Sequence, residues 1–444
     1  MEHTHLESLY PEKTREEEIG KILSYIKSGK SSQLIALPGV GRANLLGFLA
    51  YNRQIRIHHL GEKEQMSFHF VLCNFSEMKN RPLFDVMKFL FLELSSSLHE
   101  RKRDEEFAIV DKLFKDALSY QDELVLFQEL KNAIDYLTLE RNLTVTFLLE
   151  RFETYTPQAT EAFFNNLRSI RNRAKYKFSV VFSTTRPLED VLEPELLADF
   201  YEYVADNHVY LSLFDKVGLA FRVSYLEKLT HEKITQTTVD KLISLTGGHG
   251  KLMRLALESA FSHNKIIDTS SLLGLKTIHG ALLEIWYFLT PDEQQDILAI
   301  CKNTSQITND FLQNIGLIKS SSITIPLFKD FCLAQREKGK QPAVFTLDLI
   351  TNTIQRGDTV ISDMLTRSEF RLFKLLLESQ GAILSREDII QAVWTDSKTQ
   401  EGVSEQALDQ LVFRLRKKVE EDPNNPMLIQ TVKGRGFRFV QPLS

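Results

Sequence analysis

The chain has 444 residues, 43% of them hydrophobic and 25% charged, with a formal net charge of −5. That length suggests two to four domains at roughly 100–200 residues each, and the composition is ordinary for globular protein, so each domain can bury a core. The negative balance excludes nucleic-acid binding driven by overall charge; any polyanion must meet a local basic patch.

The opening, MEHTHLESLYPEK, is polar and acidic and reads as neither a signal peptide nor a transit peptide. No apolar run approaches the ~18 residues that span a bilayer. Cys73, Cys301 and Cys332 lie far apart and lack metal spacing, which predicts free, mostly buried thiols in a reducing interior. The expectation is a soluble, cytoplasmic protein with no membrane partner.

Residues 1–213 alternate short apolar runs with long amphipathic stretches, an α/β pattern. Strands are predicted at Gln33–Leu37, Phe68–Asn74, Val145–Glu150 and Phe178–Thr184, with a further one near His208–Leu213. The many phenylalanines, 30 in all, are expected to pack this core. The first strand runs into Pro38-Gly39-Val40-Gly41-Arg42-Ala43-Asn44. Two closely spaced glycines let backbone N–H groups wrap a phosphate, and the following helix offers its positive N-terminus.

This segment resembles the phosphate loop of AAA+-type and STAND-type ATPases. The resemblance rests on order and spacing over residues 15–265, and it implies ATP or ADP as ligand. The motif's Lys is Arg42 here, its Mg²⁺-binding Ser/Thr is Ala43, and its first Gly is Ala36. The second ATPase element is Val145–Leu149 followed by Glu150-Arg151. Glu150 can replace the Mg²⁺-binding Asp, whereas Arg151 stands where the catalytic Glu belongs and cannot act as a base. The strand Phe178–Thr184 is similar to the one that senses the γ-phosphate, with Thr184 or Thr185 in that role and Arg186 nearby. Gly247-Gly248-His249 resembles the lid turn of these ATPases and places His249 or Arg254 near the nucleotide; a satisfied turn histidine is the plainer reading of His249. Backbone and Arg42 still suit phosphate, so nucleotide binding remains open, while Mg²⁺ loses a protein oxygen and hydrolysis is not expected.

Residues 214–270 read as a helical lid. Residues 271–335 give helices and then Ile315–Ile318 and Ile323–Ile325 around Ser-rich turn residues, the helix-then-hairpin order of a small winged helix. Residues 336–343 are polar and read as a linker.

From Phe345 onward the pattern is different. Thr366 can cap a helix with Glu369 as its capping-box partner, and Phe370, Phe373, Leu376 and Leu377 make one apolar face. A second helix follows Ser385, and a third starts near Ser404. The third buries Ala407, Leu408, Leu411, Val412, Leu415 and Val419. Gln406, Gln410, Phe413, Arg414 and Lys417 fall largely on other faces, and Arg416 lies within the same basic run. The chain closes on Thr431-Val432-Lys433-Gly434-Arg435-Gly436-Phe437-Arg438-Phe439, a hairpin with cations beside its glycines. These segments resemble the OmpR-type winged-helix DNA-binding domain of bacterial response regulators, over about a quarter of the chain. The resemblance implies double-stranded DNA as partner, with Arg and Gln of the third helix on base edges and Lys433, Arg435 or Arg438 on phosphates or a minor groove.

The fold expectation is therefore multi-domain: an α/β P-loop domain of AAA+/STAND type, a helical lid, a middle winged helix, and an α+β OmpR-type winged helix at 344–444. The functional expectation is a sequence-specific transcriptional regulator whose degenerate ATPase module senses or scaffolds. The alternative is an active ATP-driven switch that assembles on DNA, and a third is a purely architectural DNA binder. Self-association and RNA polymerase are the further partners such a regulator would use. No receiver domain is visible, so phosphotransfer to Asp is not the expected input.

Overall fold

The computed structural model describes residues 5–263, 268–302, 309–339, 345–348, 352–356, 359–362, 365–379, 381–394, 405–420, 423, 426–432 and 434–440. The chain divides into two compact units, Met1–Cys332 and Leu333–Ser444.

The first unit is built on five parallel strands: β1 (Ser32–Ile35), β2 (Phe68–Asn74), β3 (Thr144–Glu150), β4 (Phe178–Thr184) and β5 (His208–Tyr210). Their order is β2-β3-β4-β1-β5. Every residue of β4 is buried, as a strand covered on both faces requires. Side chains alternate across the sheet and so divide into two cores. Leu148 and Val181 face one, with the Glu16–Lys27 and Arg42–Tyr51 helices. Phe147, Leu149, Val180 and Phe182 face the other, with the Leu83–Glu100, Glu123–Asp135 and Glu161–Ala174 helices. The second core is where the phenylalanines concentrate: Phe152 meets Phe182 edge-on at 4.9 Å and Phe75 at 5.2 Å. Such edge and tilted contacts suit the ring quadrupole.

The first core continues through the helices Lys216–Thr230, Gln236–Thr246 and Gly250–His263 and into the segment that follows. That segment has the helices Lys276–Phe288, Pro291–Cys301 and Asp310–Asn314, then a short hairpin of β6 (Ile318–Lys319) and β7 (Ser322–Ile323). The expected linker is a different matter. The next helix runs Pro326–Gly339 and takes in its first residues. Arg336, Glu337 and Lys338 are strong helix formers, and polarity alone does not stop a helix. The three cysteines are free and buried. Among the described residues no helix is long and apolar enough to cross a membrane.

The second unit begins within the Pro326–Gly339 helix and then has an antiparallel sheet, β8 (Phe345–Asp348), β9 (Thr353–Arg356) and β10 (Thr359–Val360), in the order β10-β9-β8. Three helices follow, Arg367–Glu378, Arg386–Val393 and Glu405–Val419, and then the hairpin of β11 (Ile429–Val432) and β12 (Gly436–Phe439). The Thr366 capping box forms in full: the Thr366 amide donates to Glu369 at 2.8 Å, and the Glu369 amide donates back at 3.4 Å. Such a cap contributes about 1 kcal/mol. Burial pushes the Glu369 carboxyl up, but hydrogen bonds from Lys418 and from Thr366 reverse this and leave it below the usual range. One core of Leu372, Phe373, Leu376, Leu408, Leu411, Leu415 and Phe437 joins helices and hairpin.

Candidate nucleotide cavity and nucleic-acid interface

Beyond β1 the chain turns through Gly39 (φ +83°) and Gly41 (φ +114°) before the Arg42–Tyr51 helix begins. Both values lie where only glycine is relaxed. A cavity of about 470 Å³ opens over this turn, lined by Gly39, Val40, Gly41, Arg42, Ala43 and Asn44. Glu150 and Ser183 line it from the strand ends; Arg15, Arg222, Lys251 and Arg254 add cations and Asp215 a carboxylate, and Arg15, Lys251 and Arg254 are paired with Glu18, Glu284 and Glu258.

The lid turn grips the loop. Lys251 donates its amide to the Gly39 carbonyl at 2.8 Å, and the His249 ring meets the Pro38 carbonyl at 2.8 Å. His249 Nδ1 accepts the Leu252 amide at 3.3 Å, so the proton sits on Nε2 and the ring is neutral. Burial pulls its pKa down to about 4. A Cβ on Gly39 would lie 2.8 Å from His249 Cε1, so this approach also requires glycine. Arg15 steadies the other wall, donating to the Ser212 carbonyl at 2.6 Å.

Several predicted residues are already committed. Arg42 lines the cavity, but its guanidinium forms a bidentate pair with Glu153, at 2.6 and 3.2 Å. His249 is the satisfied turn histidine and does not line the cavity, nor does Pro38. Arg186 is turned away from it: it pairs with Glu293 at 2.6 and 3.0 Å, donates to the Phe288 carbonyl, and lies over the Phe288 and Phe311 rings. Its position after β4 suggested a place near the nucleotide, yet its partners sit on the segment after the lid. Thr184 is also misplaced in the sequence reading. Ser183 lines the cavity and Thr184 does not; both are buried, and neither hydroxyl has a partner among the described residues. Glu150 is half-buried, and desolvation raises its carboxyl pKa. Arg151 is exposed and sits in the left-handed region (φ 55°). The residues missed were Ser183, Arg15, Lys251, Arg222 and Glu153. Counting parity along β4 would have found Ser183; nothing local marks the others.

In the second unit, Leu408, Leu411, Val412, Leu415 and Val419 bury one side of the Glu405–Val419 helix. Ala407 is half-buried. Gln406, Gln410, Phe413, Arg414 and Lys417 are exposed, and steps of four, three, one and three residues put them on one stripe. Lys417 lies 4.8 Å over the Phe413 ring. Arg416 does not share that stripe. It donates to the Ile429 carbonyl at 2.7 and 3.0 Å and to the Thr431 hydroxyl at 2.8 Å. Its place in a basic run suggested a DNA contact; two bonds to a carbonyl and one to a hydroxyl make it a clamp on β11. Glu420 reinforces the clamp by accepting the amides of Met427, Leu428 and Ile429. At the far end of the hairpin, a Cβ on Gly436 would lie 1.9 Å from the Leu384 carbonyl, so glycine is required there. Arg435 is exposed, Arg438 is held by Gln430 at 2.8 and 3.1 Å, and Lys433 lies outside the described residues.

Residues 363–439 match the family described as "Transcriptional regulatory protein, C terminal", and this region is an OmpR-type domain. Among curated proteins, the "Probable transcriptional regulator ycf27" of Guillardia theta is 39% identical over 94 residues, covering 21% of this chain and 36% of its own length. "Regulatory protein VirG" of Rhizobium rhizogenes is 41% identical over 75 residues, covering 17% and 30%. The chain thus spans about a third of the length of the curated relatives it matches. Among solved structures, the Klebsiella pneumoniae RstA DNA-binding domain in complex with RstA box is 23% identical, covering 21% of this chain and 89% of that one, with a TM-score of 0.18. The Walker-type ATPase of Pyrococcus abyssi is 15% identical, covering 74% and 97%, with a TM-score of 0.44. Cdc6p of Pyrobaculum aerophilum is 14% identical, covering 79% and 91%, with a TM-score of 0.35.

Proposed function

We propose that this chain is a sequence-specific DNA-binding transcriptional regulator whose first unit binds a nucleotide without turning it over. The observation that carries the reading is the exposed stripe Gln406, Gln410, Phe413, Arg414 and Lys417, lying within the residues that match the regulator family. A helix of this kind enters the major groove, where Arg pairs bidentately with guanine and Gln with adenine. The β11–β12 hairpin then lies beside the groove with Arg435 toward the backbone or the minor groove.

For the first unit, the turn at Gly39 and Gly41 and the cationic lining support an ATP or ADP site. Ala43 offers no oxygen to Mg²⁺ and Arg151 no base to water, so binding is metal-independent and hydrolysis is absent. The nucleotide biases DNA binding, self-association on DNA or contact with RNA polymerase.

Selection of bound DNA from a random pool, with and without ADP or ATP, tests the whole reading. An enriched motif with affinity that shifts with nucleotide is the expected result. An enriched motif indifferent to nucleotide, with an unmoved melting curve, makes the first unit a scaffold. Mg²⁺-dependent phosphate release that Arg42→Ala abolishes would overturn the reading in favour of an ATP-driven switch.

A further inference from the structure

Arg42 lines the cavity, and a carboxylate from outside the lining holds the face of it that a phosphate would use. Glu153 presents both oxygens to both terminal nitrogens of Arg42, at 2.6 and 3.2 Å. A guanidinium offers that forked face to carboxylate and phosphate alike, and it serves one bidentate partner at a time. Arg42 is the first residue of the helix that follows the glycine turn, and it lines the cavity beside the loop.

We propose that Glu153 is a built-in competitor for the phosphate, and that a ligand phosphate takes Arg42 from it. The proposal rests on the nucleotide-binding reading and adds the residue that sets the affinity. The backbone at Glu153 is fixed. Phe152 and Tyr155 are fully buried in the aromatic core, and the Thr154 hydroxyl donates to the Phe75 carbonyl at 2.8 Å. Exchange is therefore a swing of the Glu153 side chain, which is already partly exposed, and not a movement of the segment. With the carboxylate left beside the bound phosphates and no metal ligand at Ala43, like charges oppose binding. The unmodified protein holds a phosphate ligand weakly as a result.

The test is isothermal titration of the full chain with ADP, ATP and pyrophosphate in the presence of EDTA. Glu153→Gln keeps the shape and removes the charge, and Glu153→Ala removes the competing group altogether. Each tightens binding by about tenfold, since a charge-assisted hydrogen bond is roughly twice as strong as a neutral one. Arg42→Ala weakens binding, and the gain from Glu153→Gln vanishes when the two are combined, which a merely structural role for Glu153 would not produce. Binding by the unmodified protein that neither Glu153 variant improves overturns the competitor and leaves the nucleotide site standing. Binding by none of the proteins, with unmoved melting curves, overturns both.

Discussion

The two units treat their candidate charges in opposite ways. On the Glu405–Val419 helix, Arg414 and Lys417 are exposed and form no ion pair among the described residues. Around the glycine turn, Arg42 and Arg186 are each held by a carboxylate in the same chain, and His249 by a carbonyl. A surface that must meet a polyanion keeps its cations available, because each internal partner would have to be displaced first. The glycine turn has a different problem. Partly buried cations need partners in the absence of ligand, and here neighbouring segments provide them.

Removing Arg186 gives the largest effect that would sharpen this contrast. Arg186 and Glu293 are only 17% and 10% exposed, and Arg186→Ala strands the carboxylate, so unfolding of the first unit becomes easier by about 3 kcal/mol. Nucleotide affinity does not change. Intact stability with lost nucleotide affinity would make Arg186 a nucleotide-binding residue after all, and chemical denaturation alongside titration decides it.

Acid should come next. His249 titrates at about 4 when folded and near 6.5 when unfolded. Between those values the unfolded chain takes up a proton that the folded chain refuses, so stability is complete above pH 6.5 and declines as pH falls toward 4. The loss amounts to roughly 3 kcal/mol at most. Buried His69 is shifted in the same direction, so the difference between wild type and His249→Gln isolates the lid turn. Parallel pH–stability curves for the two proteins would show that the ring is not buried against Pro38 in solution.

Two arginines two residues apart make the third comparison. Arg414→Ala weakens specific DNA binding by about 1–3 kcal/mol and relaxes one base preference. Arg416→Ala instead lowers the stability of the second unit by about 1–3 kcal/mol through loss of its bonds to Ile429 and Thr431. Site selection and melting curves run on both variants would expose an exchange of roles. The smallest effect belongs to Arg435: neutralising it flattens the slope of log affinity against log salt by about one, equally for all sequences. An unchanged slope removes Arg435 from the phosphate contacts.

What the sequence revealed followed from local chemistry. The spans Phe68–Asn74 and Phe178–Thr184 were readable from apolar, β-prone runs, and the Thr366–Glu369 cap from a spacing of three. The buried stripe of the Glu405–Val419 helix was readable from its period, and the same period exposed Arg414. Partners distant in sequence were not readable. Glu153 lies 111 residues from Arg42, and Glu293 lies 107 from Arg186; no local pattern announces either pair. Arg416 was hidden for another reason, since a basic run says nothing about which of its members turns toward a carbonyl. The linker expected at 336–343 rested on polarity and on Pro342; the helix runs on to Gly339 because polar residues such as Arg336 and Lys338 are good helix formers, and residues 340–343 lie outside the described residues.

The grip of Arg416 and Glu420 on β11 reaches beyond stability. Both residues sit at the end of the helix that would lie in the groove, and both hold the strand that opens the hairpin. Helix and hairpin therefore behave as a single rigid caliper. On the proposed reading of this helix and hairpin, the spacing between the bases and the backbone they meet is set by these bonds before any DNA arrives. Variation among bound sites must then come from the bending and groove width of the DNA itself.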